Sequence, residues 1–381
     1  MVKRKLIRRF AGVGAAALAA SAAGASSGVA QSSSSDTSHV PHVIASGLHS
    51  PRQLTFSPEG ALYVAESGST GTMGCQPSRE DPKVKACAGP TGSVARIGAA
   101  GGVRRVVTGL PSAGAPGEAL GPSDLVFTDD NRFSLVIGLG GPPAYRAAFG
   151  PVGRRLGTLV SVDLRRGEHD GAPRVTRIAD LAAFEARANP DGTDIDSDPV
   201  GLARSGDSYV YADAGANAVN TTRRGGSTIA VLRPVPTTVP SPPSPVPLGF
   251  QADGVPTDVV RGPDGAWYIS QLVGFPFEKG AAKIWRVVPG QKPTVYASGL
   301  TNVTSLAFDR WGHLYAVEIS AKGLLTGPVG ALVRVRAGST SPDVVAGGLF
   351  APYGLALRGH NAYVTTGSVS PDGGKVVRIG L

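Results

Sequence analysis

A short apolar phrase ending in Leu recurs along this chain, and the recurrence constrains the fold more than any other feature. It reads VIASGL at 43–48, RVVTGL at 105–110, TVYASGL at 294–300 and DVVAGGL at 343–349. Weaker relatives are VTRIADL at 175–181 and STIAVL at 227–232. After each copy comes a second short strand: PRQLTF, PSDLVF, DPVGLA, PTDVV, NVTSLAF and APYGLAL. A tight polar turn follows (SPEG, TDDN, RSGD, GPDG, DRWG, RGHN), built of the residues that short reversals need. A third strand follows each turn: ALYVAE, FSLVIG, SYVYAD, AWYISQ, HLYAVE and NAYVTT. A fourth alternating stretch closes each unit, as in GSVARI, GTLVSV, AVNTT, AKIWRV, GALVRV and GKVVRI.

Four strands repeated six times predict an all-β chain folded as a six-bladed β-propeller with four-stranded antiparallel blades. Two sandwiches of similar strands, or a ring of seven, are the competing arrangements. The last repeat ends at GKVVRIGL without an outer strand, and the first has one to spare, HVIASGL. The N-terminal strand is therefore expected to complete the last blade and remove two open edges. With 53 Gly, 31 Pro and 17% charged residues, the composition suits short strands and tight turns. At 41% hydrophobic, the chain has ample material for a core.

The turns between second and third strands are all short. The long segments (67–90, 139–156, 272–282, 319–329 and the Pro-rich 234–255) fall after third strands or between repeats. In a four-stranded meander both of those connections lie on one rim. One face is thus bare and the other carries the loops, where binding and catalysis concentrate. The run PVPTTVPSPPSPVP suits a stiff extended spacer over that face.

Residues 1–30 read as a secretory signal peptide: basic MVKRKLIRRF, the short apolar AGVGAAALAA, then small residues. The apolar part is far shorter than the ~20 residues of a membrane span. Arg8-Arg9 leaves a twin-arginine route open beside the general secretory one. Residues 31–41 read as a flexible leader and 42–381 as the propeller. The formal charge of +9 includes five bases of the signal, and without them 32 bases face 28 acids. No basic run interleaves with aromatics, so nucleic acid is not expected as a partner. Cys75 and Cys87, in one loop-like stretch of an exported chain, are expected to form a disulfide, with free thiols as the alternative.

Several phrases together carry a family resemblance: GPTGSVARI, YADAGAN, GPDGAWYISQLVGFPF, PTVYASGLTNV and YAVEISAKGLLTG. From about His42 onward the chain resembles the ScyD/ScyE family of exported bacterial propellers. The resemblance implies an NHL-like six-bladed propeller outside the cytoplasm and little about chemistry.

Aligning the third-strand ends brings Glu66, Gly138, Asp213, Gln271, Glu318 and Thr366 to equivalent positions at the loop-rich rim. Arg52, Asp124, Asp198, Thr257 and Asn302 start the neighbouring second strands. An oxygen-rich set of Glu66, Asp213, Gln271, Glu318 and Asp198 suits Ca²⁺ or another divalent cation. Arg52, Asp124 and Asn302 would then contact a ligand. The other reading is that these groups bond to one another, to backbone amides or to channel water. The acidic NPDGTDIDSDP lacks the Gly and Glu of a calcium loop. Phe275 and Phe277 in GFPF either stack on a ligand or tuck over the channel.

The expected function is that of a secreted, monomeric, non-enzymatic binding or scaffold protein. It would use its loop-rich face and channel mouth on a small molecule, a polymer or an extracellular protein. The alternative is a divalent-metal-dependent hydrolase of the gluconolactonase type.

Overall fold

The computed structural model describes residues 39–79, 81–165, 171–238, 247 and 249–381. The signal peptide, most of the leader and the middle of the Pro-rich run lie outside the described residues. The chain is mostly β, built of four-stranded antiparallel sheets in the arrangement of a β-propeller. The first sheet holds Pro51–Phe56, Leu62–Glu66, Lys85–Ile97 and Val103–Gly114, with Met73–Pro77 added to the extended Lys85–Ile97. The second runs Pro122–Asp129, Arg132–Ile137, Thr158–Asp163 and Arg174–Asp180. The third has Pro199–Ser205, Ser208–Asp213, Ala218–Thr221 and Ser227–Val231. Pro256–Arg261, Trp267–Gln271, Ala282–Val287 and Thr294–Leu300 form the fourth. Val303–Phe308, Leu314–Glu318, Val329–Val335 and Asp343–Phe350 form the fifth.

The sixth sheet settles how the ends meet. It holds Leu355–Arg358, Asn361–Thr366 and Gly374–Gly380, and its outermost strand is the N-terminal His42–Leu48. His42 pairs with Arg378 and Leu48 with Gly374, so the first strand described completes the last sheet. The inner strands of successive sheets pack against one another around a closed ring, the last against the first. The buried residues fall into clusters between neighbouring sheets, such as Leu48, Leu54, Val64, Ala356 and Val376 between the sixth and first.

Two features of the rim were not read from the sequence. The disulfide loop is a β-hairpin, Met73–Pro77 against Lys85–Ile97, with Cys75 bonded to Cys87. A helix, Leu181–Ala188, connects the second sheet to the third. Its N-cap is Asp180, whose carboxylate accepts the Ala183 N–H. Among the described residues no helix is long and apolar enough to cross a membrane.

Candidate functional site in the central channel

The carboxylates at the third-strand ends are buried but do not converge. Glu66 Oε1 accepts the His49 backbone N–H at 2.8 Å and Arg105 Nη2 at 2.9 Å. Its Oε2 accepts Ser93 Oγ at 2.5 Å and Arg105 Nε at 2.9 Å. Glu318 Oε1 accepts the Thr301 N–H at 2.7 Å. Asp213 Oδ1 accepts the Asp198 N–H at 2.7 Å, and its Oδ2 accepts Ser197 Oγ at 2.7 Å. Gln271 Oε1 accepts the Trp285 indole N–H at 3.2 Å. In three sheets the acid thus grips the segment that leads into its own sheet's inner strand. Charge-assisted bonds of this kind offset the cost of burying the group. Burial still pushes Glu318 and Asp213 up to about 7.

Among the described residues no three His, Cys, Asp or Glu side chains lie together as a metal centre. The expected cation set of Glu66, Asp213, Gln271, Glu318 and Asp198 is therefore dispersed into separate clips. Glu66, Asp213 and Glu318 each bond within their own sheet, whereas Asp198 turns toward the second sheet.

The inner strands carry a motif that alignment alone passed over. Arg52, Ser123, Val200, Thr257, Thr304 and Tyr353 stand in one row, and Gln53, Asp124, Gly201, Asp258, Ser305 and Gly354 in the next. The first row stitches sheet to sheet. Ser123 Oγ donates to the Val200 carbonyl, Thr257 Oγ1 to Val303 and Thr304 Oγ1 to Tyr353, at 2.7–2.9 Å. In the second row Asp124 Oδ2 accepts the Leu202 N–H at 2.6 Å, and Asp258 Oδ2 accepts the Leu306 N–H at 2.8 Å. Ser305 Oγ lies 2.8 Å from Gln53 Oε1 and 3.2 Å from Asp258 Oδ2. Burial raises both aspartates, and repulsion from Asp258 raises Asp124 further. Asp124, expected as a ligand contact, spends both oxygens on the Leu125 and Leu202 N–H groups. Asn302, expected likewise, ties two rim segments: its Nδ2 donates to the Leu272 carbonyl and its Oδ1 accepts the Leu324 N–H.

Asp198 and Arg52 do meet. They line a cavity of about 10 Å³ with Ser67, Ser123, Gly138 and Tyr353, room for about one water. Arg52 lies over the Tyr353 ring, 4.8 Å from its centre. Its Nε donates to Ser67 Oγ at 3.1 Å and its Nη2 to the Ala119 carbonyl at 2.8 Å. Asp198 Oδ1 accepts the Leu139 N–H at 3.1 Å. Its Oδ2 is buried with no partner among the described residues. Burial pushes Asp198 up to about 6, opposed by that N–H and by the Arg52 charge. Gly138 makes the arrangement possible, since a Cβ there would stand 2.5 Å from Asp198 Oδ1. The second sheet lacks a side chain at its third-strand end, and Asp198 of the third sheet fills the space.

The other expected residues are placed as follows. Phe277 packs half-buried against a cluster that includes Val200 and Tyr353, with Phe275 edge-on to it. Of the acidic loop, Asp196 pairs with Arg79 at 2.9 Å, and Asp191 accepts Asn217 Nδ2 at 2.9 Å.

No family model matches the chain. No curated protein is significantly similar to it. Solved structures share the architecture at low identity. The PQQ-bound aldose sugar dehydrogenase from Streptomyces coelicolor is 13% identical, over 89% of this chain and 96% of that one, with a TM-score of 0.48. The calcium-binding protein regucalcin from Agrobacterium tumefaciens is 12% identical over 90% and 94%, with a TM-score of 0.49. A putative gluconolactonase is 12% identical over 75% and 83%, with a TM-score of 0.40. Likeness at this level speaks to fold alone.

The expectation of a non-enzymatic binding or scaffold protein is corrected. In the channel, Asp198, whose Oδ2 has no partner among the described residues, lines a water-sized cavity together with Arg52.

Proposed function

We propose that the chain is an exported six-bladed propeller enzyme, a hydrolase acting on a lactone or similarly activated ester at the Asp198–Arg52 cavity. Each sheet is read as one blade, and the resemblance to ScyD/ScyE proteins is kept within this reading. The observation that carries the proposal is Asp198, which lines a cavity sized for one water and whose buried Oδ2 has no partner among the described residues. A general base must sit within hydrogen-bond reach of the proton it takes, with its pKa near working pH. Asp198 Oδ2 takes a proton from the cavity water as the oxygen attacks the carbonyl carbon. The Arg52 guanidinium stabilises the oxygen that becomes negative. The ring C–O bond then breaks, and the leaving oxygen receives the proton from Asp198, giving a hydroxy acid. Residues 119–121 line the cavity, and Arg52 holds this segment through the Ala119 carbonyl; in this reading the substrate enters by displacing it. A divalent cation at this site would have Asp198 Oδ2 as its available carboxylate oxygen, since Glu66 is held by Arg105 and Ser93.

The test is hydrolysis of a panel of lactones and aryl esters by the exported chain. Activity is expected to rise with pH through about 6, following Asp198. Asp198→Asn should lower kcat about 100-fold or more and abolish that limb. Chelation should leave the rate unchanged. A rate lost on chelation and restored by Ca²⁺ would replace the general-base role with a metal one. An Asp198→Asn variant as active as the parent would sink the site.

A further inference from the structure

A second site lies away from the channel, on the outer side between the second and third sheets. A groove of about 850 Å³ opens beside the helix Leu181–Ala188. That volume falls within the range of about 300–1,000 Å³ typical of ligand pockets. Phe184, Tyr209 and Tyr211 give it an aromatic lining, and Arg187, Arg223 and Arg224 line it as well. Phe184 and Tyr211 are buried, while all three arginines are exposed.

Charge is unbalanced there. None of the three arginines forms an ion pair among the described residues. Two acidic groups also line the groove. Asp180 is held by Arg146 at 2.5 Å and faces Arg177 at 3.8 Å, which leaves Asp207 to oppose three cations. Glu185, buried on the same helix, is pushed up to about 8 and is largely uncharged at neutral pH.

The arginine loop is built to a shape. Arg224 has φ 53° and ψ 37°, a left-handed conformation that is unfavourable for a residue with a Cβ. Gly225 and Gly226 follow at φ 86° and 111°, and a Cβ on Gly226 would lie 2.5 Å from the Phe184 ring. Ring and loop are therefore in close contact. The strain keeps a second arginine at the groove in a position that suits glycine.

We propose that this groove binds an organic anion: a carboxylate, sulfonate or phosphate group on an aromatic or apolar body. The anionic group meets the guanidinium cluster, and the body lies along the groove against Tyr209, the partly exposed ring of the three. Guanidinium forks match such oxyanions in pairs, and aromatic rings accept a flat partner at low entropic cost. The site does not depend on the hydrolase reading, because it shares no residue with the channel cavity.

The probe is anilinonaphthalene sulfonate, followed by fluorescence on the folded protein, with neutral phenylnaphthylamine as comparison. Saturable binding at one equivalent is expected, weaker at high salt. The neutral probe should bind about tenfold weaker or less well still. Arg223→Ala and Arg224→Gly should each weaken the anion about tenfold, and the triple variant with Arg187→Ala should abolish binding. Asp198→Asn should leave binding unchanged. Circular dichroism checks that the variants are folded, and Arg224→Gly relieves strain. Equal binding of the two probes, undiminished binding by the folded triple variant, or no saturable signal overturns the proposal.

Discussion

Glu66 shows what a buried charge does in this molecule. It ends a strand whose five residues are all buried, and it carries no solvent contact of its own. Four hydrogen bonds and the Arg105 ion pair hold it. Removing one partner of a buried pair is costlier than replacing both, because the remaining charge is stranded. Arg105→Ala is expected to destabilise the fold by about 3 kcal/mol in urea unfolding. Adding Glu66→Gln to that variant should recover part of the loss, since the amide still accepts the His49 N–H. A loss in the single variant within about 0.5 kcal/mol would show that the clip is not structural. The position of Glu66 was legible from the repeat. The direction of its side chain was not, because the group it grips enters from a segment 17 residues earlier.

At the scale of elements, the inner strands set the channel and leave it little room. Each presents the pattern that alternation predicts, with apolar Leu54, Leu125, Leu202, Val259, Leu306 and Leu355 at one repeating position. The preceding position must be small where strands crowd. A Cβ on Gly201 would meet the Asp258 Cα at 2.7 Å and the Thr257 carbonyl oxygen at 2.9 Å. Gly201→Ala should therefore cost about 1–3 kcal/mol, measured as a lowered denaturation midpoint at unchanged slope. A neutral result would mean that the third and fourth inner strands slide apart freely. The helix Leu181–Ala188 was missed although its signals are local: an Asp N-cap and the strong helix formers of LAAFEARA. The strand repeat drew VTRIADL into a single phrase, so the stop after Asp180 went unread.

At the scale of the whole molecule, ring closure gathers acids into a dry interior. Asp198 is pushed up to about 6, Asp213 and Glu318 to about 7, and Glu185 to about 8. All four take up protons more readily folded than unfolded. Their contribution to stability is fully present below the ordinary carboxylate range and is lost as pH rises through 6 to 8. Thermal unfolding should therefore shift to lower temperature between about pH 5 and pH 9. Glu185→Gln, which removes a carboxylate with no partner on either oxygen among the described residues, should stabilise the protein at the alkaline end and hardly at all near pH 5. A midpoint that rises steadily across that range would contradict the sign worked out here.

The sequence by itself determined the repeated strands, their order and the pairing of the two ends. These follow from periodicity and chain continuity, which are local properties. Only the tertiary structure decided what the polar residues do. Ser305 reaches Gln53 across 252 residues of chain, and Asp198 fills the space beside Gly138 across 60 positions of sequence. Alternation tells which face of a strand a side chain leaves from. Which atom it meets depends on closure of the ring, and closure turned an expected circle of cation ligands into backbone clips around one water-sized cavity.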